Sequence, residues 1–168
     1  MQANRVEVAK IGSLPIFRGI AQGELEAILR ESHPKRVEAG SFFFQQEDPA
    51  ERAYLLTEGQ VKLLQVTFEG QQVILNVLSP YQVFGLVAFT PGNHYSASAQ
   101  AAMDCVAFYW NQEQLSGLAM RYPQLALNAI QQMGARVKEF QGQITTLSTE
   151  RVERRLARAI LRLANQVG

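Results

Sequence analysis

The sequence predicts an α+β fold. An antiparallel β jelly-roll is preceded by a short helix and followed by a long dimerisation helix and one further helix. Three observations predict it. Short runs rich in Val, Phe, Tyr, Leu and Ile fill Val37 to Trp110. Turn residues break these runs at Ala39-Gly40, Glu47-Asp48-Pro49, Glu58-Gly59, Glu69-Gly70, Ser79-Pro80 and Pro91-Gly92-Asn93. After Trp110 the strand signals stop, and apolar residues recur at helical spacing to the end.

From Leu14 to Ser32, Leu25, Ile28 and Leu29 recur at helical spacing behind an entry containing Pro15 and Gly19, which reads as a short helix braced on the roll. The strands of the roll come next. "NQEQLSGLAMRYP" reads as one short helix ending before Pro123, which can occupy the first turn of the next. Ala126, Ile130, Met133, Val137, Phe140, Ile144 and Leu147 then succeed one another at alternating spacings of four and three, a 3.5-residue repeat. A helix lying on its own domain would usually show a wider apolar face at a 3.6 period. Here the flanks are polar (Gln131, Gln132, Lys138, Glu139, Gln141, Gln143), so the seam predicts a parallel homodimer.

Ser148 or Thr149 can cap a last helix with Val152, Leu156, Ile160, Leu163 and Val167 on its apolar face. Nothing in the chain remains to cover that face, so the natural protein is expected to continue past Gly168. The domains read as a roll with flanking helices at 14–122, a dimerisation helix at 123–147 and a final helix at 149–167.

Composition bounds the function. A chain of 168 residues, 47% hydrophobic, can bury the core of one domain. Sixteen basic against fifteen acidic residues give a net charge of +1, so any nucleic-acid contact must be local. One cysteine, Cys105, cannot supply a disulfide framework, an iron–sulfur cluster or a structural zinc site. With no signal-peptide core and no membrane-length apolar run, the expectation is a cytoplasmic protein.

The ordered set of motifs resembles the regulatory half of the bacterial CRP/FNR family of transcription regulators. "LPIFRGI" is similar to the family's opening segment. Gly40, Gly59, Gly70 and Gly85 fall where its roll has turn glycines, and "YLLTEGQVKLLQ" resembles its hairpin. Phe84-Gly85 opens what resembles its phosphate-binding cassette. The resemblance implies a cyclic-nucleotide-binding-like roll, a homodimer, and a winged helix-turn-helix beyond this chain that binds DNA.

Members that bind a cyclic nucleotide carry F-G-E and then R-S-A or R-T-A. The guanidinium meets the cyclic phosphate with charge and a bidentate fork, and the Glu holds the ribose. This chain has Phe84-Gly85-Leu86 and Tyr95-Ser96-Ala97 in the same frame. Losing one partner of a buried charged contact costs about 2–5 kcal/mol, which argues against cyclic AMP. From Leu63 to Met120 there is no Lys or Arg, so a substitute cation would have to come from outside that stretch, such as Arg52, Lys62 or Arg136. A cyclic-nucleotide regulator using such outside cations is the alternative.

Phe84, Leu86, Val87, Phe89 and Tyr95 together suit a small neutral or gaseous effector. The resemblance also implies haem in some members, for which His94 is the candidate axial ligand, although a His beside Gly92-Asn93 reads equally as a surface loop residue. Cys105 reads as a small core residue. Arg151, Arg155, Arg158 and Arg162 line one side of the last helix, as a solvated face or a phosphate or interdomain contact. A jelly-roll metalloenzyme would want two or three histidines with a carboxylate. Only His33 and His94 exist, and they are far apart in sequence, so the chain reads as a non-enzyme.

Overall fold

A computed structural model describes residues 5–66 and 70–138. The chain divides into two compact units, residues 1–130 and 131–168. The first holds the roll. Eight strands, β1 His33–Val37, β2 Phe42–Phe44, β3 Arg52–Glu58, β4 Val61–Val66, β5 Gln72–Leu78, β6 Val83–Phe84, β7 Ser98–Ala101 and β8 Cys105–Asn111, form two four-stranded antiparallel sheets. Their orders are β1-β8-β3-β6 and β2-β7-β4-β5, the crossed connectivity of a jelly-roll.

Burial follows strand position. Strand β3 is central, and Ala53 to Thr57 are buried on both faces, which a continuous apolar run provides. Strand β5 is a sheet edge whose Val73, Ile74 and Val77 are exposed. Strand β1 starts at His33, four residues before the sequence reading placed the first strand. Its polar face is open to solvent, which hid it, and Pro34 is tolerated because β1 is an edge strand.

Helices α1 Arg5–Gly12, α2 Gln22–Arg30 and α3 Gln112–Arg121 flank the strands. Helix α1 was not expected from its weak periodicity, yet Val8 and Ile11 are buried. The expected helix from Leu14 resolves into a 3₁₀ turn, Pro15–Phe17, and α2. Helix α3 begins with reciprocal capping, in which the Asn111 side chain accepts from the Gln114 N–H (2.9 Å) and Gln114 Oε1 accepts from the Asn111 N–H (3.0 Å). Gln114 Nε2 also donates to the Glu31 carbonyl (2.6 Å), and Trp110 Nε1 donates to the Ile28 carbonyl (2.8 Å), so side chains at the end of β8 and the start of α3 hold the C-terminal end of α2.

A further helix begins at residue 123 and is described to residue 138. Its first two turns belong to the compact unit with the roll, past the expected boundary at 122. Leu125 and Ala129 are buried, and the buried Asn128 amide donates to the carbonyls of Ile16 (2.9 Å) and Arg18 (2.8 Å). One face of the helix is therefore committed to its own domain. The expected seam lies elsewhere on it. Ala126 and Met133 are half-buried, whereas Ile130 and Val137 are 60% and 55% exposed. Phe140, Ile144 and Leu147, with the helix expected at 149–167, lie outside the described residues.

Candidate functional site

The cassette starts at a turn that only glycine fits comfortably. Phe84 ends β6 fully buried, and Gly85 follows in the left-handed region at φ +72°. A Cβ there would stand 2.7 Å from the Arg52 carbonyl oxygen, so the lack of a side chain lets the cassette lie against β3. A 3₁₀ turn, Leu86–Phe89, comes next, with the Ala88 N–H donating to the Gly85 carbonyl (3.0 Å). The loop after it is stitched to the segment between β2 and β3. The Ala50 N–H donates to the Asn93 carbonyl (2.9 Å), the Tyr95 N–H to the Asp48 carbonyl (3.0 Å), and the Glu47 N–H to the Tyr95 carbonyl (2.8 Å).

Tyr95 lies where the resembled motif has its guanidinium, and it is not a solvent-facing group waiting for an anion. Its side chain is buried, 4% exposed, and its ring stacks on Phe44 at 3.6 Å between centroids. Its hydroxyl accepts from the Arg52 N–H (3.0 Å) and donates to the Arg52 carbonyl (2.6 Å). One phenol thus satisfies both backbone groups of the first residue of β3. Phe84 joins the same aromatic cluster, stacked on Tyr54 at 5.0 Å and edge-on to Phe43 at 5.1 Å. Ser96 is exposed and Ala97 half-buried. The buried hydroxyl next door belongs to Ser98, which accepts from the Gln46 N–H (2.8 Å).

Burial pushes the Tyr95 phenol up to about 12, the hydrogen bonds with the Arg52 backbone opposing the rise. Because the folded value lies above the ordinary 10, this phenol's contribution to stability is complete below pH 10 and is lost as the pH rises toward 12. Tyr95→Phe is expected to cost roughly 1–3 kcal/mol at neutral pH by leaving the Arg52 N–H and carbonyl unpaired. It should also flatten the loss of stability between pH 10 and 12 relative to the unmodified chain. Urea denaturation of both proteins across that window checks this, and parallel pH profiles would exclude Tyr95 as the titrating group.

Among the candidate cations, Arg52 carries a charge that acts on the Tyr95 phenol and lowers its pKa against the effect of burial. The Arg52 guanidinium lies over the Tyr109 ring, 4.9 Å from its centroid. Lys62 is half-buried on β4, and Arg136 belongs to the other compact unit. Lys35, which the sequence reading did not consider, sits over the rings of Phe43 and Tyr54 at 5.9 and 5.8 Å, and burial and then the Arg52 charge lower its pKa.

The apolar residues expected to form one pocket divide between two environments. Tyr95 and Phe84 fill the aromatic cluster. Leu86 and Phe89 instead border a separate cavity of about 20 Å³, with Ala53 of β3, Trp110 of β8, Leu118 of α3, and Leu125. Leu86 and Phe89, both named from the sequence, are on its wall. Phe44 and Arg52 as the partners of Tyr95, and the helical residues of the cavity wall, have no signal in the sequence, because nothing there links residues so far apart.

His94 is exposed, its backbone bridged to Pro49, and it is not among the residues bordering the cavity. His33 is exposed on β1, its ring 5.3 Å from that of Tyr109 and its Nε2 3.1 Å from Gln114 Nε2. A cavity of this size with neither histidine on its wall does not fit a haem. Among the described residues, no three His, Cys, Asp or Glu side chains lie together as a metal site. Cys105 is buried, its thiol donating to the carbonyls of Gln60 (3.2 Å) and Met103 (3.1 Å), and burial raises its pKa. Among the described residues, no helix is long and apolar enough to cross a membrane.

Comparison with known proteins agrees with this architecture. The family model described as the cyclic nucleotide-binding domain matches residues 34–122. The cyclic AMP receptor protein of Thermus thermophilus is 30% identical over 152 residues, which cover 90% of this chain and 70% of that protein. The crystal structure of the Thermus thermophilus catabolite activator protein superposes with a TM-score of 0.74 at 28% identity, covering 80% of this chain and 63% of that one. The sensor domain of the transcriptional regulator DNR from Pseudomonas aeruginosa gives 0.67 at 26% identity, covering 80% and 91%. This chain therefore spans less than two thirds of the catabolite activator and nearly all of the DNR sensor domain. With its crossed strand order, its Gly85 cassette turn and these relatives, the chain belongs to the CRP/FNR family of transcription regulators and carries that family's sensor domain.

Proposed function

We propose that this domain is the effector-sensing and dimerising part of a DNA-binding regulator whose cassette does not take cyclic AMP, and that its effector is a small neutral molecule. The observation that supports this most directly is Tyr95. It stands in place of the guanidinium, is buried, and spends its hydroxyl on the Arg52 backbone. A cyclic phosphate entering there would lose water and meet a buried neutral phenol in place of a bidentate guanidinium, a penalty of several kcal/mol. Leu86, in place of the ribose-binding carboxylate, is buried and apolar.

The rest of the mechanism runs through the helix over 123–138. Leu125, Asn128 and Ala129 fix its first turns to the sensor, and Ile130 and Val137 stay exposed on the seam expected to meet a second copy. Effector binding would change the angle or register of the paired helices. That movement would re-aim a winged helix-turn-helix beyond this chain on its DNA site.

The test is thermal. Bound ligand stabilises by RT ln(1 + [L]/Kd), so a ligand at about a thousand times its Kd adds about 4 kcal/mol. Millimolar cyclic AMP or cyclic GMP is expected to leave the melting midpoint almost unmoved. A rise of many degrees would overturn the reading and point to a cation entering from outside the cassette.

A further inference from the structure

The cavity beside the cassette has properties the aromatic cluster lacks. Its volume of about 20 Å³ exceeds the roughly 10–15 Å³ that one water-sized guest requires. Its wall is aliphatic and aromatic throughout. The two bordering side chains with polar atoms use them elsewhere: Trp110 Nε1 donates to the Ile28 carbonyl at 2.8 Å, and the Tyr54 hydroxyl lies with the Phe43 carbonyl at 3.5 Å. A water inside would forgo its usual two to four hydrogen bonds, so the lining favours an apolar guest. An apolar guest would regain dispersion contacts that the lining atoms otherwise lack.

The cavity's place in the fold gives occupancy a consequence. Leu86 and Phe89 on one side belong to the cassette turn, Leu115 and Leu118 belong to α3, and Leu125 belongs to the helix that carries the exposed seam. A guest there would touch both the cassette turn and that helix, so its bulk would bear on their spacing.

We propose that this cavity binds a small uncharged apolar guest of about two heavy atoms, the size and chemistry of a dissolved diatomic gas, and that occupancy acts on the helix over 123–138 through Leu125. This rests on the reading of the domain as a sensor of a small neutral ligand, and it names the site and the class of molecule. The lack of a polar partner excludes anything charged.

Xenon, an apolar sphere with no hydrogen-bonding chemistry, is the probe. Methyl and indole NMR spectra of the full 168-residue chain are recorded under rising xenon pressure, with carbon monoxide as competitor. The resonances of Leu86, Leu115, Leu118 and Leu125 and the indole N–H of Trp110, the chain's single tryptophan, are expected to shift along saturating curves. Val73 and Ile74, exposed on β5, should not saturate. Carbon monoxide should displace the xenon-dependent shifts.

Ala53→Val puts two carbons into the cavity at a strand position that accepts a β-branched residue, and it should abolish the saturable shifts while the other resonances keep their positions. Val83→Ile fills the same space from β6 if the first variant folds poorly. Linear, unsaturated shifts in the unmodified chain, or equal shifts in a folded filled variant, would overturn the assignment. Those results leave the neutral-effector reading standing, whereas a large cyclic-nucleotide effect on melting overturns that reading whatever xenon does.

Discussion

Ile130→Asp is expected to convert a dimer into monomers while leaving the sensor folded. In the single chain Ile130 is 60% exposed, so the variant removes no core contact from the roll. In a two-fold seam the same change places two like carboxylates in an apolar interface, each with a desolvation penalty of several kcal/mol. Val137→Asp should act alike, since Val137 is 55% exposed and falls on the same four-three repeat. Sedimentation equilibrium of both variants against the unmodified chain reads the mass, and the melting midpoint at low concentration reads the fold. An unchanged mass in both would sink the seam. Asn128 gives the contrast: Asn128→Ala leaves the Ile16 and Arg18 carbonyls without a buried donor. That loss acts within one protomer, so it should lower the melting midpoint without changing the mass in the same way.

Gly85→Ala carries the second large effect, this time on the cassette. The left-handed conformation costs an alanine roughly 1–2 kcal/mol, and the added carbon would stand 2.7 Å from the Arg52 carbonyl oxygen. Backbone rather than a flexible side chain is in the way. The cassette must therefore lift off β3, and the Tyr95 hydroxyl bridge to Arg52 has to stretch or break. The sum is expected at about 3 kcal/mol or more by urea denaturation. Gly40→Ala, also at a positive φ but with open space around it, should cost only the conformational part. Equal losses in the two variants would show that the close approach to β3 has no energetic weight.

Much of the fold was readable from local chemistry. Turn glycines and prolines divided the roll into strands, Pro123 marked where one helix ends and the next begins, and the four-three repeat picked out Ile130 and Val137, which the protomer leaves exposed. These signals are local, because a turn needs a residue with the right φ and a helix face needs a fixed spacing. Elements with weak local signals were lost. Helix α1 has little periodicity, and β1 begins on His33-Pro34, whose polar, open face resembles a loop.

The cassette shows the limit most clearly. That Leu86 and Tyr95 stand where charges are expected is what the resemblance of this stretch to the family's cassette implies, and it predicts a site poor in anion-binding groups. What those two residues do instead depended on partners brought together by the sheets. Tyr95 meets the Arg52 backbone, 43 residues away, and Phe44, while Leu86 turns to a cavity walled by β8, α3 and Leu125. The sequence by itself determined the class of fold, the turn at Gly85 and the missing charges, since each is written in residue type and spacing. Only the tertiary structure decided that the Tyr95 phenol bonds the Arg52 backbone and that Leu86 borders a cavity lined by helical residues, because a side chain's destination is set by packing between segments that are distant in the chain.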